Sequence, residues 1–378
     1  MSKKARVPAK SDFKIEGDDG IPQALTKAEE HGSSVEVEPR LKRKMIKPLC
    51  LPANAPGHSG NVHDISISLD GTAVASCAAD EWILVSNSKN GSLLHEIRVI
   101  GSVATSVVWT SYHGTTRDIL TGHSDGAVAL WRLYNGSTCP QLRIKRIFPG
   151  GIRLLKYCLS SRTMLIAFGD HMVLLNENKI FKIDDPNHLE CGGKVNGAAF
   201  VNDGRQCIVT ASKRKNILIF ENKTSTLVPL AIVPIKFYPH TVAVSNDTMT
   251  IAVASWEGCI YVYKWSSDVT PLQNQAVIDY ERELLHPQTF LLSFFHGSRF
   301  LLVGSEGKTA TVIDIPNEDT VLTLEHQDGC YIHAVAVRVS KALFYANVGY
   351  RAGVIRRGLS VLQVPVMGDS IPSHGTFL

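Results

Sequence analysis

The 378-residue sequence lacks three features that would each define a class of protein. It has no apolar run near the roughly 20 residues that a membrane-spanning helix requires, and its polar start, MSKKARVPAK, differs from a secretory signal. It also has no Cys-x-x-Cys pair and no clustered histidines, so its eight cysteines are expected to be buried free thiols. We therefore expect an intracellular protein, cytoplasmic or nuclear, without a membrane contact, metal or cofactor.

Helical periodicity is scarce as well. Apolar residues instead alternate or run in short groups rich in Val, Ile, Ala and Phe, as in IAVA at 251–254 and FLLV at 300–303. With 44% hydrophobic and 20% charged residues, the chain can bury a large core. These runs predict strands that are covered on both faces, because a half-exposed strand would alternate more strictly.

A unit of about 45 residues recurs along the chain: an apolar strand, a short polar turn and a second apolar strand that often ends in an aromatic residue. The clearest copy is DILTGHSDGAVALWRL at 118–133. The strands that follow the turns begin 43 to 50 residues apart, near Trp82, Ala127, Met172, Asn216, Cys259, Thr309 and Leu359. This spacing is typical of propeller blades. Seven copies predict an all-β, seven-bladed β-propeller of four-stranded antiparallel blades.

The motif letters resemble the WD-repeat β-propeller family. Gly57-His58 stands where that family opens a blade, and Thr121, Asp125 and Trp131 match its strand, turn and aromatic positions. The resemblance covers about residues 53–365 by period and pattern. It implies that an opening His, a Ser or Thr, a turn Asp and a Trp hydrogen-bond one another inside a blade.

No blade carries all four of these letters. The first has His58, Ser76 and Asp80, but Ser86 stands where the Trp is expected, and the second lacks the opening His.

Three regions are predicted. Residues 1–44 are rich in Lys, Glu, Asp, Ser and Gly and contain no repeat, which favours a disordered, flexible N-terminal tail. The propeller is expected at 45–366, and residues 367–378 form a C-terminal tail. Because the seventh repeat supplies only three strands, Met45–Leu51 is predicted to be the fourth strand of the last blade and to close the ring; Pro48 is tolerable in an outermost strand.

The tail ends in a basic cluster, Arg40, Lys42, Arg43 and Lys44, with Lys47 close behind. Three interpretations stay open: a nuclear import signal, a contact with nucleic-acid phosphates, or an ordinary solvated stretch. Residues 1–47 hold eleven Lys or Arg and eight Asp or Glu, so they carry +3 of the net +4 of the chain. The predicted propeller is therefore nearly neutral.

The string Gly122-His123-Ser124-Asp125-Gly126 satisfies the Gly-x-Ser-x-Gly pattern of hydrolases. That pattern works where a strand turns sharply into a helix, but here another strand, AVALW, follows. A hairpin turn is predicted instead, and a hydrolase at Gly122–Gly126 is kept as a remote alternative.

The segment GSEGKT at 304–309 similarly resembles a phosphate-binding P-loop. It is too short for the Gly-x-x-x-x-Gly-Lys spacing, and the strand that follows provides no helix N-terminus for the phosphate. Both motifs fall at the same point of their repeats, which indicates a structural turn.

Function is therefore expected on a surface. The turns between the second and third strands of the blades should emerge on one face, with acids in the first two blades and cations in the fourth and seventh. The candidate partner-binding residues on it are Lys213, Arg214, Lys215, Trp256, Tyr350, Arg351, Arg356 and Arg357.

These residues predict a non-catalytic scaffold that binds other proteins, with an acidic or phosphorylated peptide as the fitting ligand because arginine forks bind such oxygens in pairs. Two alternatives stay open. The two rings could fold onto the blade edges, and the basic tail could make this a nucleic-acid or chromatin-associated propeller.

Overall fold

The computed structural model describes residues 57–113, 116–134, 140–176, 188–223, 226–245, 247–265, 273–279, 292–295, 297–304, 309–325, 331–338, 343–349 and 360–363. All described residues lie in one compact unit, which spans Leu41–Leu378. The predicted N-terminal tail, the closing strand Met45–Leu51 and the C-terminal tail lie outside the described residues.

The described chain forms seven antiparallel sheets, each made of consecutive strands. Blade 1 consists of β1 (Val62–Ile67), β2 (Ala73–Ala78), β3 (Trp82–Asn87) and β4 (Leu93–Arg98). Blade 2 consists of β5 (Ala104–His113), β6 (Thr116–His123), β7 (Ala127–Tyr134) and β8 (Gln141–Ile147). Blade 3 consists of β9 (Ile152–Cys158), β10 (Thr163–Phe168), β11 (His171–Asn176) and β12 (Leu189–Glu190).

The remaining sheets follow the same pattern. Blade 4 consists of β13 (Val195–Val201), β14 (Gln206–Ala211), β15 (Asn216–Lys223) and β16 (Thr226–Pro234). Blade 5 consists of β17 (Pro239–Val244), β18 (Thr250–Ser255), β19 (Cys259–Lys264) and β20 (Gln273–Asp279). Blade 6 consists of β21 (Leu292–Phe295), β22 (Phe300–Gly304), β23 (Thr309–Asp314) and β24 (Asp319–Glu325). Blade 7 has β25 (Tyr331–Arg338), β26 (Leu343–Gly349) and β27 (Ser360–Gln363).

The predicted all-β propeller of four-stranded antiparallel blades is confirmed. Each first strand contacts the first strand of the next blade, and β25 contacts β1, so the inner strands form a closed ring. Six sheets have all four strands, whereas the described part of the seventh has three. The described residues contain one 3₁₀ turn, Asn202–Gly204, and no helix long and apolar enough to cross a bilayer.

The core lies between neighbouring blades. The second strands β2, β10, β18 and β22 are buried along their whole length, which is why their sequences run apolar without alternation. Leu165 and Ala167 of blade 3, for example, share one apolar cluster with Cys207 and Val209 of blade 4. Truncation of Leu165 to alanine would leave a cavity between two blades. We expect it to lower the free energy of unfolding by about 2–5 kcal/mol.

Polar bonds also join the blades near the ring centre. The carboxylate of Asp64 on β1 accepts bonds from the Ser106 hydroxyl (2.6 Å) and the Val107 N–H (3.0 Å) on β5. The Ser106 hydroxyl in turn accepts the N–H of Leu155 on β9 at 3.1 Å. Burial raises the pKa of Asp64, although Lys156 and these bonds oppose the shift. Three successive blades are thus held in register by one carboxylate and one hydroxyl.

The hydrolase-like and P-loop-like motifs of the sequence both lie between antiparallel strands. Ser124 and Gly126 form the turn between β6 and β7, and Gly126 adopts a φ of +87°. A Cβ at Gly126 would overlap the Phe148 carbonyl oxygen, so glycine is required there on two counts. The segment 304–309 similarly joins β22 to β23, although residues 305–308 lie outside the described part. The hairpin predicted for Gly122–Gly126 is confirmed.

The described cysteines form no disulfide, and four of them, Cys77, Cys158, Cys191 and Cys207, are buried. Burial raises the pKa of the Cys191 thiol to about 12. It also raises the pKa of Cys207. At neutral pH these thiols are protonated and act as small apolar side chains.

Candidate partner-binding face

One edge of the sheets carries two kinds of segment. The turns between second and third strands hydrogen-bond to the connections between successive blades, as in Ser212 N–H to Lys194 O (2.8 Å) and Ile235 N–H to Lys215 O (2.9 Å). The same pattern recurs in blade 1, where Val99 N–H donates to Glu81 O at 2.9 Å. We call the surface formed by these turns and connections the upper face.

The motif residues of blade 1 bond to one another at this face. His58 Nε2 lies 2.8 Å from Ser76 Oγ, and His58 Nδ1 lies 3.2 Å from the Asp80 carboxylate. The same carboxylate accepts the N–H groups of Ser59 and Trp82. Burial by itself raises the pKa of Asp80, but the bonds from His58, Ser59 and Trp82 hold it well below its usual range. This network ties the turn to the segment that opens the blade.

Blade 2 builds a similar network with a different histidine. Thr121 Oγ1 lies 2.9 Å from His123 Nε2 and accepts the Trp131 indole N–H at 3.0 Å. All three residues belong to β6 and β7. The family pattern places the histidine ahead of the first strand, whereas His123 reaches the same threonine from the end of the second strand.

Blade 4 presents the predicted cations. Lys213, Arg214 and Lys215 are all exposed in the β14–β15 turn. Lys215 Nζ lies 4.6 Å from the ring centroid of Tyr238, which is 44% exposed in the connection to blade 5. This cation–π contact holds Lys215 beside an exposed aromatic ring. The sequence did not point to Tyr238, because this residue lies between two blades and not in a turn between second and third strands.

Trp256 of blade 5 lies next to this cluster. Its N–H donates to the Tyr238 carbonyl oxygen at 3.0 Å, so the blade 5 turn and the connection from blade 4 are adjacent. The Trp256 ring is half-buried and meets the His240 ring edge-on, with 4.3 Å between the centroids. The ring is therefore partly folded onto the blade, as the alternative interpretation held, while one portion stays accessible.

Three further cations extend the cluster, and none of them lies in a turn between second and third strands. Lys194 is exposed in the connection from blade 3 to blade 4, and Lys236 is exposed in the connection from blade 4 to blade 5. Arg153 lies on β9, where the pairing with β10 slips by one residue and leaves it in a β-bulge. Within the described part of the chain, neither these three cations nor the three of the β14–β15 turn form an ion pair.

The remaining predicted residues lie outside the described chain. Tyr350, Arg351, Arg356 and Arg357 fall between β26 and β27, and Arg40, Lys42, Arg43 and Lys44 precede the first described residue. The structure thus brings together Lys213, Arg214, Lys215 and Trp256 but does not describe the blade 7 group or the import cluster.

Acidic residues mark the other side of the upper face. Asp80, Glu81, Asp125 and Asp170 occupy the corresponding turns of blades 1 to 3. Asp170 pairs with His171, with 2.7 Å between Oδ1 and Nδ1. Across the turns of blades 1 to 4 the face is polarised, with acids on blades 1 to 3 and accessible cations on blade 4.

This fold defines a β-propeller class of protein, and comparison with known proteins agrees with it. Residues 51–87 match the family model described as "WD domain, G-beta repeat", which spans much of blade 1. The crystal structure of Chaetomium thermophilum Raptor superimposes with a TM-score of 0.66 and 13% identity over 82% of this chain and 29% of that chain. At this identity the likeness shows the fold alone, and the match spans less than a third of that chain. No curated protein matches the chain.

The repeat match and the propeller fold agree with the predicted resemblance to the WD-repeat β-propeller family. Proteins of this family generally bind other proteins and are typically non-catalytic.

Proposed function

We propose that this propeller is a non-catalytic scaffold that binds protein partners on its upper face, over blades 4 and 5. One observation carries the proposal: exposed cations that form no ion pair with any described residue lie beside the accessible rings of Tyr238 and Trp256. Aromatic rings and arginines are the side chains that contribute most to protein interfaces. Cations that no described acid neutralises are available to a partner.

The partner chemistry that fits this surface is an acidic or phosphorylated peptide. Lys213, Arg214 and Lys215 project from one short turn, so an extended peptide can meet all three within a Debye length of about 8–10 Å. Backbone bonds place Lys194 and Lys236 on either side of that turn, which widens the positive surface across blade 4. The aromatic rings at its edge would cover apolar side chains of the same peptide.

Charge reversal tests this proposal. The variant K213E/R214E/K215E should lose the proteins that the full-length chain retains in affinity purification. The matched control is K89E/R205E/K264E, which makes the same substitutions at three exposed positions on the opposite edge of the blades. Retention of the same partners by both variants would contradict the assignment of the site. Loss with both variants would indicate a nonspecific charge effect.

A further inference from the structure

The connection from blade 3 to blade 4, residues 191–194, and the first residues of β13 lie beside cations from three separate elements. Its start is fixed because Cys191 is buried and donates its N–H to the Asp170 carbonyl oxygen at 2.9 Å. Its centre is fixed because the Lys194 carbonyl oxygen accepts the Ser212 N–H. Lys194 itself is exposed between these two anchors.

Gly192 positions the first of these cations. It adopts a φ of +69°, and a Cβ built on it would overlap the Nη2, Nε and Cζ atoms of Arg214. The guanidinium of Arg214 therefore rests directly on the loop backbone at Gly192. Any side chain at position 192 would push it away. Arg214 is exposed to solvent, but its contact with the loop backbone restricts its conformations, which lowers the entropy lost when a ligand binds.

Arg153 approaches the same loop from its other end. The bulge in β9 lets its side chain reach across to blade 4, where Nε lies 3.4 Å from the Val195 carbonyl oxygen and Nη2 lies 3.5 Å from Asn196 Oδ1. Both partners are neutral. Partial burial lowers the pKa of Arg153, with no acidic group offsetting it. Arg153 is nevertheless exposed to solvent and forms no ion pair within the described residues, so its guanidinium can receive an anion.

We propose that Arg153, Lys194 and Arg214 form an anion seat for the phosphate of a phosphoserine or phosphothreonine in the partner peptide, an inference that rests on the proposed function. One short loop brings the three cations together. Two acids lie beside the loop: Asp170 is paired with His171, and Glu190 forms no ion pair with these cations within the described residues.

The geometry favours phosphate over carboxylate. A phosphate monoester carries about −1.5 to −2 charges at neutral pH and three strong acceptor oxygens, whereas a carboxylate carries one charge and two oxygens. Two arginine forks from different elements can bind two separate edges of a phosphate, and a lysine can meet the third oxygen. A single glutamate side chain would leave part of this donor set unpaired.

The test uses the full-length chain and three peptide pools with the same degenerate flanks. The central residue is phosphoserine or phosphothreonine in the first pool, serine or threonine in the second, and glutamate in the third. Fluorescence anisotropy should show the phosphorylated pool binding about tenfold or more tightly than the glutamate pool, since phosphate adds charge and charge-assisted bonds. Equal affinities for these two pools would overturn the inference.

Gly192→Ala sharpens the test because it moves Arg214 without removing a charge. Its matched control is Gly101→Ala, since Gly101 has a similar φ of +80° but no heavy atom within 4 Å of the added Cβ. Both variants carry the same backbone strain, so only G192A should lose the phosphate preference. Arg153→Gln, which leaves position 192 intact, should lose it too. Equal phosphate preference in G192A and G101A would count against the seat.

The outcomes separate this inference from the proposed function. K213E/K215E leaves all three seat cations in place, so it should weaken every acidic pool while keeping the phosphate preference. If acidic pools bind and K213E/R214E/K215E abolishes binding, but phosphate gives no advantage, the scaffold function stands and the seat fails. If no pool binds, or if a single-stranded oligonucleotide binds more tightly than the phosphorylated pool, both fail.

Discussion

Blades 1 and 4 use the same position of the repeat in opposite ways. In blade 1 the turn carboxylate of Asp80 is surrounded by donors from His58, Ser59 and Trp82, and Glu81 Oε1 lies 3.3 Å from the Gly101 N–H. In blade 4 the turn side chains are exposed, and no described acid pairs with them. A turn that binds its own blade stabilises the fold, whereas a turn that leaves its charges accessible can bind a partner.

The largest effect on stability is expected from Asp80→Ala, which removes the carboxylate that the donors of blade 1 share. The substitution leaves several donors without their acceptor, so we expect a loss of about 3 kcal/mol in the free energy of unfolding. Urea denaturation measures this loss. Binding to the peptide pools should be unchanged in the folded variant. A loss below about 1 kcal/mol would show that the network contributes little.

Acidification should remove the same contribution without a mutation. Because the native pKa of Asp80 is held below its unfolded value, its contribution is present above about pH 4 and is lost as the pH falls through the native pKa. The stability difference between the wild type and Asp80→Asn, from urea midpoints between pH 7 and pH 2, should therefore shrink towards low pH. A difference that grows on acidification would reverse the assigned sign.

An intermediate effect is expected in blade 2. Thr121→Val removes the hydroxyl that joins His123 and Trp131 in a fully buried site, so it should cost about 1–3 kcal/mol of unfolding free energy. Thr121→Ser keeps the hydroxyl and is the control. Thermal denaturation of the two variants gives the comparison. If Thr121→Val were no less stable than Thr121→Ser, the hydroxyl would contribute little and the prediction would be wrong.

The smallest effect on stability is expected from Lys215→Ala. This exposed side chain touches only the Tyr238 ring among the described contacts, so its removal should change the free energy of unfolding by less than about 0.5 kcal/mol. Affinity for the acidic pools should nevertheless fall several-fold, and the fall should diminish as salt is raised. A variant that binds normally at low salt would exclude Lys215 from the site.

Strand positions were the most predictable part of this fold. The third strands begin at Trp82, Ala127, His171, Asn216, Cys259, Thr309 and Ser360, each within one residue of its predicted start. A hairpin is determined by residues that are close in the sequence, because a polar turn between two apolar runs favours antiparallel pairing of those runs. Such strands can therefore be located from the sequence. The closing strand Met45–Leu51 stays a prediction, since it depends on pairing between distant ends of the chain.

The site was predictable only in part, and for the same reason. Lys213, Arg214 and Lys215 stand together in the sequence and could be found there. Arg153 is 41 residues from Lys194 along the chain, and no local pattern connects them. Their proximity follows from a β-bulge and from one loop that packs between two blades.

By itself, the sequence determined the repeat, the strands and the turns, since periodicity and turn chemistry act over a few residues. The tertiary structure decided which turn charges are satisfied within a blade and which remain accessible. It also decided that His123 replaces the missing opening histidine and that Gly192 supports Arg214. These outcomes depend on contacts between segments that are distant in sequence, where hydrogen-bond geometry and close packing select the partners.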